Sequence, residues 1–215
     1  MKIACIQLST SDNYDRNISH LLKFLNQAIS NKADLIITPE YSSFMTDDKK
    51  QLFKYSFSMK EDPLIKKLKI ISKNSKKWIL IGSLSIKAGT KLRNRSILIN
   101  TKGEIENYYD KINMFDVKVS VKEKHKESKI YKAGKKLIFA KLPWGRLGLT
   151  ICYDLRFPEL YRKLSKNNLS FISIPSAFTK VTGKKHWIEL LKARAIENFC
   201  YIFAPNQTGK NTISK

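Results

Sequence analysis

The chain has 215 residues, of which 42% are hydrophobic and 27% are charged, a composition that excludes an intrinsically disordered protein. A chain of this length buries about 70% of its surface on folding, and no apolar run or signal-peptide pattern indicates a membrane protein. Three cysteines without a CxxC pair exclude a disulfide framework and most zinc sites and indicate a reducing compartment. We therefore expect a cytoplasmic protein with a single domain over residues 1–215 and no membrane partner.

The predicted elements alternate between apolar runs of strand length and patterns of helical period. In chain order they are a strand at Ile3–Leu8, a helix containing Ile18–Ile29, a strand at Leu35–Thr38, a helix at Pro63–Lys73, strands at Trp78–Ile86, Ser96–Thr101, Glu104–Tyr109, Leu137–Leu142, Leu147–Cys152 and Ser170–Pro175, a helix at His186–Phe199 and a strand at Cys200–Ala204. This alternation predicts an α/β fold. Short turns that join neighbouring strands, as around Gly103, predict a mixed sheet.

The formal net charge of +23 raises nucleic acid as a partner. Only seven of the 41 basic residues are arginines, although arginine is the residue that grips phosphates and base edges. The lysines are also spread along the whole chain, as on a solvated surface. We therefore expect no specific nucleic-acid partner, and a basic nucleic-acid-binding module is kept as the alternative from another functional class.

Three strand ends each deliver a reactive side chain directly after an apolar run. Glu40 follows in LIITPEY, Lys111 in NYYDKINMFDV and Cys152 in GLTICYDLRFPELYR. Each alone has an ordinary explanation, because a glutamate or lysine is usually solvated and a cysteine in an apolar strand is usually an inert core residue. Strand ends converge in open α/β folds, however, so the three side chains can form one site.

Such a site has a clear chemical use. A thiol is only a few per cent thiolate at neutral pH, so a nucleophilic cysteine needs a carboxylate that accepts its proton or a cation that stabilises the thiolate. A lysine can also hold the oxyanion of a tetrahedral intermediate. A Cys–His pair is less favoured, because none of His20, His125 and His186 has a fixed spacing to Cys152.

The segments ITPEY, YDKINMFDV and CYDLRFPELYR resemble the glutamate, lysine and cysteine motifs of the nitrilase superfamily of carbon–nitrogen hydrolases. The segment PSAFTKVTGKKHWIELLKARAIENFCYIFAPNQTG extends the resemblance to the Nit branch of amidases. This resemblance implies a four-layer α-β-β-α sandwich, with two mixed sheets between helix layers. It also implies Glu40 as general base, Lys111 as oxyanion stabiliser, Cys152 as nucleophile and Glu127 as a second glutamate that orients the lysine.

The same resemblance implies four substrate-binding positions. The N–H of Tyr153 would belong to the oxyanion hole, Arg156 would bind a substrate carboxylate, and Phe178 and Thr182 would line the pocket. For Arg156 the residues give an independent reason, because an arginine between Leu155 and Phe157 suits a partly desolvated carboxylate clamp. The alternative is that Arg156 pairs with a nearby acid, either Asp154 or Glu159.

The expected function is therefore cleavage of the C–N bond of a small linear amide that carries a carboxylate, through a cysteine thioester. The resemblance suggests an ω-amidase or a deaminated-glutathione amidase, and we expect no cofactor and no metal. Since members of the family commonly form dimers or larger assemblies, a homodimer is expected. The family pattern continues into further strands beyond the QTG segment, so the C-terminal strands are expected to be missing. An inactive, truncated member is accordingly a second alternative.

Overall fold

A computed structural model describes residues 1–118 and 124–209 of the chain. The first sheet has five strands in sequence order: β1 (Ile3–Cys5), β2 (Leu35–Ile37), β3 (Trp78–Ala88), β4 (Lys91–Ile99) and β5 (Ile105–Asp110). Strands β1, β2 and β3 are parallel, whereas β3, β4 and β5 are antiparallel, so the sheet is mixed.

The second sheet has four strands among the described residues: β8 (Ile138–Leu142), β9 (Gly145–Leu149), β10 (Phe171–Ser173) and β11 (Tyr201–Phe203). It is also mixed, because β8 and β9 form a hairpin whereas β9, β10 and β11 run parallel. A short separate hairpin joins β6 (Asp116–Lys118) and β7 (Lys124–Lys126).

Five helices accompany the sheets in the described part of the chain: α1 (Tyr14–Ser30), α2 (Lys49–Lys54), α3 (Pro63–Ser75), α4 (Pro158–Ser165) and α5 (Lys180–Asn198). Their starts follow from local chemistry. The carboxylate of Asp62 accepts a hydrogen bond from the backbone N–H of Ile65 and caps α3, with Pro63 at its first turn. Thr179 caps α5 by accepting from the N–H of Thr182.

Alternation along the strands sorts the apolar side chains into layers. In β2, Leu35 and Ile37 pack between the two sheets, whereas Ile36 packs against the helices on the outer face of the first sheet. The cluster between the sheets also contains Leu149 and Phe171 from the second sheet. Helices α1 and α3 cover the first sheet, and α4 and α5 cover the second. The arrangement is the predicted four-layer α-β-β-α sandwich.

Several elements differ from the sequence prediction. The predictions missed α2, α4, β6 and β7, which are short elements of three to eight residues. The last helix begins at Lys180, not at His186, because the capping side chain is Thr179. The strand before the cysteine ends at Leu149, and Cys152 begins a 3-10 turn that runs to Arg156.

No helix within residues 1–118 and 124–209 has both the length and the apolar character needed to cross a lipid bilayer.

The outer surface near the end of α5 exposes two large apolar side chains, Ile196 and Phe199. The homodimer expected from the resemblance stays a prediction.

Gly82 in β3 lies where the two sheets meet behind the strand end that leads to Glu40. A Cβ atom on Gly82 would collide with the carbonyl oxygen of Thr38 and stand 2.5 Å from Cβ of Pro175. Backbone cannot yield as a flexible side chain does, so we predict that Gly82→Ala lowers the free energy of unfolding by about 3 kcal/mol or more. Thermal and urea unfolding would measure this loss.

Gly183→Ala in α5 is the matched control. Its added Cβ would find its nearest neighbour, Cβ of Phe178, at an ordinary 3.8 Å. Because alanine has the higher helix propensity, this variant should be up to about 1 kcal/mol more stable than the wild type. Equal effects of the two substitutions would contradict the account of how the two sheets meet at Gly82.

Candidate active site

The structure brings Glu40, Lys111, Glu127 and Cys152 together at one cavity of about 820 Å³. Their side chains come from four separate segments of the chain. Glu40 follows β2, Lys111 follows β5, Glu127 follows β7, and Cys152 lies shortly after β9. The two sheets therefore place the four predicted groups at a common edge of the sandwich.

Glu40 is almost wholly buried, with 1% of its surface exposed, and its carboxylate is held on both sides. Its Oε1 accepts a hydrogen bond from Nζ of Lys111 at 2.9 Å, and its Oε2 accepts from the backbone N–H of Ala177 at 2.9 Å. The carbonyl of Glu40 also accepts from Nε2 of Gln207 at 2.8 Å. The carboxylate thus has a fixed position beside the lysine.

Lys111 is the buried cation of the site, with 2% of its surface exposed. Its Nζ lies 2.9 Å from Oε1 of Glu40 and 2.9 Å from Oε2 of Glu127. Burial alone would lower the pKa of Lys111, but the two carboxylates outweigh it and the pKa lies well above its ordinary value. The side chain is therefore an ammonium throughout the physiological pH range.

Glu127 opens a 3-10 turn, Glu127–Lys129, and both of its carboxylate oxygens accept hydrogen bonds from Nζ of Lys111. Its Oε2 also accepts from the backbone N–H of Phe115 at 2.7 Å, and its Oε1 accepts from the hydroxyl of Tyr41 at 3.1 Å. Burial raises the pKa of Glu127, but Lys111 and the hydrogen bonds bring it below its ordinary value. Glu127 is thus a carboxylate at neutral pH.

Cys152 stands at a sharp turn, with a φ of 47° that places it in the left-handed region. Its N–H donates to the carbonyl of Pro175 at 2.9 Å, which ties the turn to the end of β10. Burial and the nearby Glu40 carboxylate raise the pKa of the thiol well above its ordinary value, and Lys111 opposes them only in part. The resting side chain is therefore a thiol, which needs a base before it can act as a nucleophile.

Asp154 anchors this turn and was not identified as a site residue from the sequence. Its Oδ2 accepts from the hydroxyl of Tyr109 at 2.8 Å and from the N–H of Ile151 at 3.0 Å. Its Oδ1 accepts from the N–H of Asn113 at 3.0 Å. One buried carboxylate thus joins the segment that carries Cys152 to the segment that carries Lys111.

The four positions predicted to bind substrate, Tyr153, Arg156, Phe178 and Thr182, all line the cavity. The guanidinium carbon of Arg156 lies 5.4 Å from the ring centre of Phe178 and 6.0 Å from that of Tyr153. A terminal nitrogen of Arg156 is 3.2 Å from Nδ1 of His186. Arg156 is thus held at the cavity wall between two aromatic rings.

The two acids considered as alternative partners of Arg156 have other surroundings in the structure. Asp154 is occupied by Tyr109 and backbone donors, and neither Asp154 nor Glu159 forms an ion pair with Arg156 in the described part of the chain. Asp154 points inward, and Glu159 is exposed in the first turn of α4. The guanidinium therefore remains oriented towards the cavity.

A group of basic residues at the cavity was also not predicted from the sequence. Lys124 and Lys126 of β7 and Lys180 and Lys184 of α5 all contribute to its lining. With Arg156 they make the cavity positive towards solvent, while Glu40 and Glu127 are neutralised in part by Lys111. A positive cavity mouth favours anionic ligands. The signal in the sequence is two basic runs, Lys124–Lys126 directly before Glu127 and Gly183–Lys185 directly after Thr182.

A metal site has no support in the described residues, where no three His, Cys, Asp or Glu side chains cluster in a way that would hold an ion. The chemistry available to the cavity is that of a thiol, two carboxylates and an ammonium. Together they can accept a proton, form a covalent bond to an electrophilic carbon and hold a negative oxygen.

Comparisons with known proteins place the chain in a family. The sequence model described as "Carbon-nitrogen hydrolase" matches residues 2–214. A protein of Yersinia enterocolitica named deaminated glutathione amidase is 35% identical over 97% of this chain and 74% of its own length. A protein of the same name from Dictyostelium discoideum is 34% identical, with the same two coverages.

Solved structures agree with the sequence relatives. The Caenorhabditis elegans NitFhit protein superimposes with a TM-score of 0.89 at 33% identity, covering 97% of this chain and 51% of that one. Saccharomyces cerevisiae Nit3, described as a member of branch 10 of the nitrilase superfamily, gives a TM-score of 0.85 at 26% identity, covering 98% and 76%. The predicted family and fold are confirmed: the chain belongs to the carbon–nitrogen hydrolases of the nitrilase superfamily.

Proposed function

We propose that the chain is a thiol amidase that cleaves the C–N bond of a small linear amide bearing a carboxylate. The observation that carries the proposal is the buried Lys111 ammonium between the carboxylates of Glu40 and Glu127, at the same cavity as the Cys152 thiol. The relatives named deaminated glutathione amidase support a deaminated glutathione-type amide as the substrate. An ω-amidase substrate such as α-ketoglutaramate is the close alternative.

In the first step Sγ of Cys152 attacks the amide carbon while the carboxylate of Glu40 accepts the thiol proton. The carbonyl π bond becomes a lone pair on oxygen, and the resulting oxyanion is stabilised by the Lys111 ammonium and the backbone N–H of Tyr153. The raised pKa of the Cys152 thiol supports this order, because the proton must leave as the carbon–sulfur bond forms.

In the second step the tetrahedral intermediate collapses. The C–N bond breaks, the nitrogen takes the proton held by Glu40, and ammonia or an amine departs, leaving a thioester on Cys152. A water molecule then attacks the thioester carbon and gives a proton to Glu40. Collapse of the second intermediate breaks the carbon–sulfur bond, and the proton returns to Sγ. The net reaction is amide plus water to carboxylic acid plus amine.

The substrate carboxylate is assigned to Arg156, whose planar guanidinium can bind it through two hydrogen bonds. The rings of Tyr153 and Phe178 exclude water from one side of this contact. The positive mouth of the cavity, formed by Lys124, Lys126, Lys180 and Lys184, would attract the anionic substrate. No cofactor enters this scheme, because the side chains supply every role.

Cys152→Ala should abolish ammonia release from α-ketoglutaramate and amine release from a deaminated glutathione-type amide, because no nucleophile remains. The same substitution should remove the single iodoacetamide adduct expected at the cavity, read by mass spectrometry of the tryptic peptide. Cys5→Ser, at an exposed position on β1, is the control and should keep wild-type turnover. Full activity of Cys152→Ala would contradict the mechanism.

Glu40→Gln separates two effects of one carboxylate. Since the negative charge of Glu40 raises the pKa of the Cys152 thiol, its removal should lower that pKa and make alkylation by iodoacetamide at pH 7 faster than in the wild type. Amide hydrolysis should fall by about 10²–10⁴-fold, because the general base is lost. Slower alkylation together with lost hydrolysis would instead mean that Glu40 does not oppose thiolate formation.

Arg156→Gln should raise KM for a carboxylate-bearing amide by about 10- to 100-fold, since a hydrogen bond between charged groups is lost. An uncharged amide of the same size should show little change, which identifies the carboxylate as the group bound. Arg162→Gln, at an exposed position on α4, is the matched control for loss of one positive charge. Equal KM changes for both variants would indicate general charge attraction rather than a clamp.

The alternative from another class makes a different prediction. A nucleic-acid-binding module would be retained on DNA or RNA with a steep dependence on salt concentration. This retention would be insensitive to Cys152→Ala, whereas amidase activity would not. Folded protein that releases neither ammonia nor amine from the two substrates, and binds nucleic acid in this way, would favour the alternative.

A further inference from the structure

Asn94 lies in β4 and is almost completely buried, with 1% of its surface exposed. Its carboxamide nitrogen is within hydrogen-bond distance of three acceptors at the site. Nδ2 lies 2.9 Å from Oε1 of Glu40, 3.0 Å from Oε1 of Glu127 and 3.1 Å from the hydroxyl oxygen of Tyr41. One amide group therefore connects the two carboxylates that flank Lys111.

The orientation of this amide follows from its surroundings. If the carboxamide were turned over, its oxygen would face two carboxylate oxygens, so the nitrogen must point towards them. In the described part of the chain the opposite atom, Oδ1 of Asn94, has no hydrogen-bond partner. A buried acceptor without a partner costs free energy. The site therefore leaves Oδ1 unpaired while both N–H groups of the amide point at the carboxylates.

The electrostatic balance explains why such donors are needed. Glu40 and Glu127 contribute two negative charges to a buried site, and Lys111 contributes one positive charge. Two carboxylates in such a position tend to share a proton, unless other donors stabilise the second charge. Asn94 donates to both Oε1 atoms, which are also the atoms that lie near Nζ of Lys111.

Among the described residues, the other titratable side chains that face the two carboxylates are two phenols and a thiol. Tyr41 and Tyr131 face it, and burial raises the pKa of both phenols, so they remain neutral. Cys152 faces it as a thiol, because burial and Glu40 raise its pKa. For Glu127, burial raises the pKa, whereas Lys111 and then the hydrogen bond from Asn94 lower it. The amide is thus a neutral donor to two carboxylates whose ion-pair partner, among the described residues, is Lys111.

We propose that Asn94 is a positioning residue that keeps Glu127 ionised and holds Glu40 and Glu127 in fixed positions against Lys111, so that Glu40 is free to accept the proton of Cys152. This inference rests on the proposed function, because it assigns the ionised pair to the start of the catalytic cycle. Asn94 acts through the two glutamates. Glu40, Tyr41 and Glu127 line the cavity, whereas Asn94 is not among the described residues that do so.

The test is Asn94→Leu in the full chain, which keeps a side chain of similar shape and removes the donor. The acid limb of the kcat/KM profile reports proton uptake by the carboxylate pair. It should move to higher pH by about 1 unit, and kcat at pH 7 should fall by about tenfold or more, as expected for a lost hydrogen bond to a charged group. KM should change less than about twofold, because Asn94 does not contact the cavity.

Asn107→Leu is the matched control. Asn107 lies in the neighbouring strand β5, and within residues 1–118 and 124–209 its carboxamide donates to the carbonyl of Phe139, at 3.4 Å. The same substitution there should leave the pH profile unchanged. Should Asn94→Leu fail to accumulate as folded protein, Asn94→Ser offers a smaller side chain with one donor, and the same direction of change is expected.

A readout without turnover separates this inference from the proposed function. If the carboxylate pair takes up a proton more readily without Asn94, less negative charge faces Cys152, and alkylation by iodoacetamide at neutral pH should be faster than in the wild type. Wild-type protein without amidase activity would overturn the proposed function but leave this alkylation test in place. Alkylation rates and pH profiles that match the wild type, after correction for the folded fraction, would overturn the role of Asn94.

Discussion

The buried contact of Lys111 with Glu40 and Glu127 is the interaction on which the rest of the site depends. It joins residues that are 71 and 16 positions apart in the chain, so it forms only when both the first sheet and the β6–β7 hairpin are in place. Removing Lys111 would leave two carboxylates in a buried site without the cation that contacts both, which is strongly unfavourable. The fold is therefore organised so that β2, β5 and the hairpin end at one point.

Much of this could be predicted from the sequence, and the reason is physical. Glu40, Lys111 and Cys152 follow apolar runs, and a reactive side chain directly after a buried strand can be recognised without a structure. The start of α3 also follows from the residues, because Pro63 occupies its first turn. That strand ends converge made one site possible, but assigning these three side chains to it needed the family resemblance, because no local pattern specifies which strand ends meet.

The residues that sequence reasoning missed act through hydrogen bonds. Asn94 and Asp154 are buried polar side chains inside an element and a turn, where a polar residue ordinarily indicates solvent exposure. Their importance follows from tertiary partners: the two carboxylates for Asn94, and Tyr109 with backbone donors for Asp154. The net charge of +23 was interpreted as a solvated surface, but several of the lysines that contribute to it lie at the cavity.

The most direct test of the central claim is detection of the acyl-enzyme. Wild-type protein mixed with a substrate amide and quenched with acid within milliseconds would be digested and analysed by mass spectrometry. The account predicts a thioester of the substrate's acyl group on the peptide that contains Cys152, together with release of amine before release of the carboxylic acid. Amine and acid released at the same rate from the first turnover, with no acyl adduct on that peptide, would contradict it.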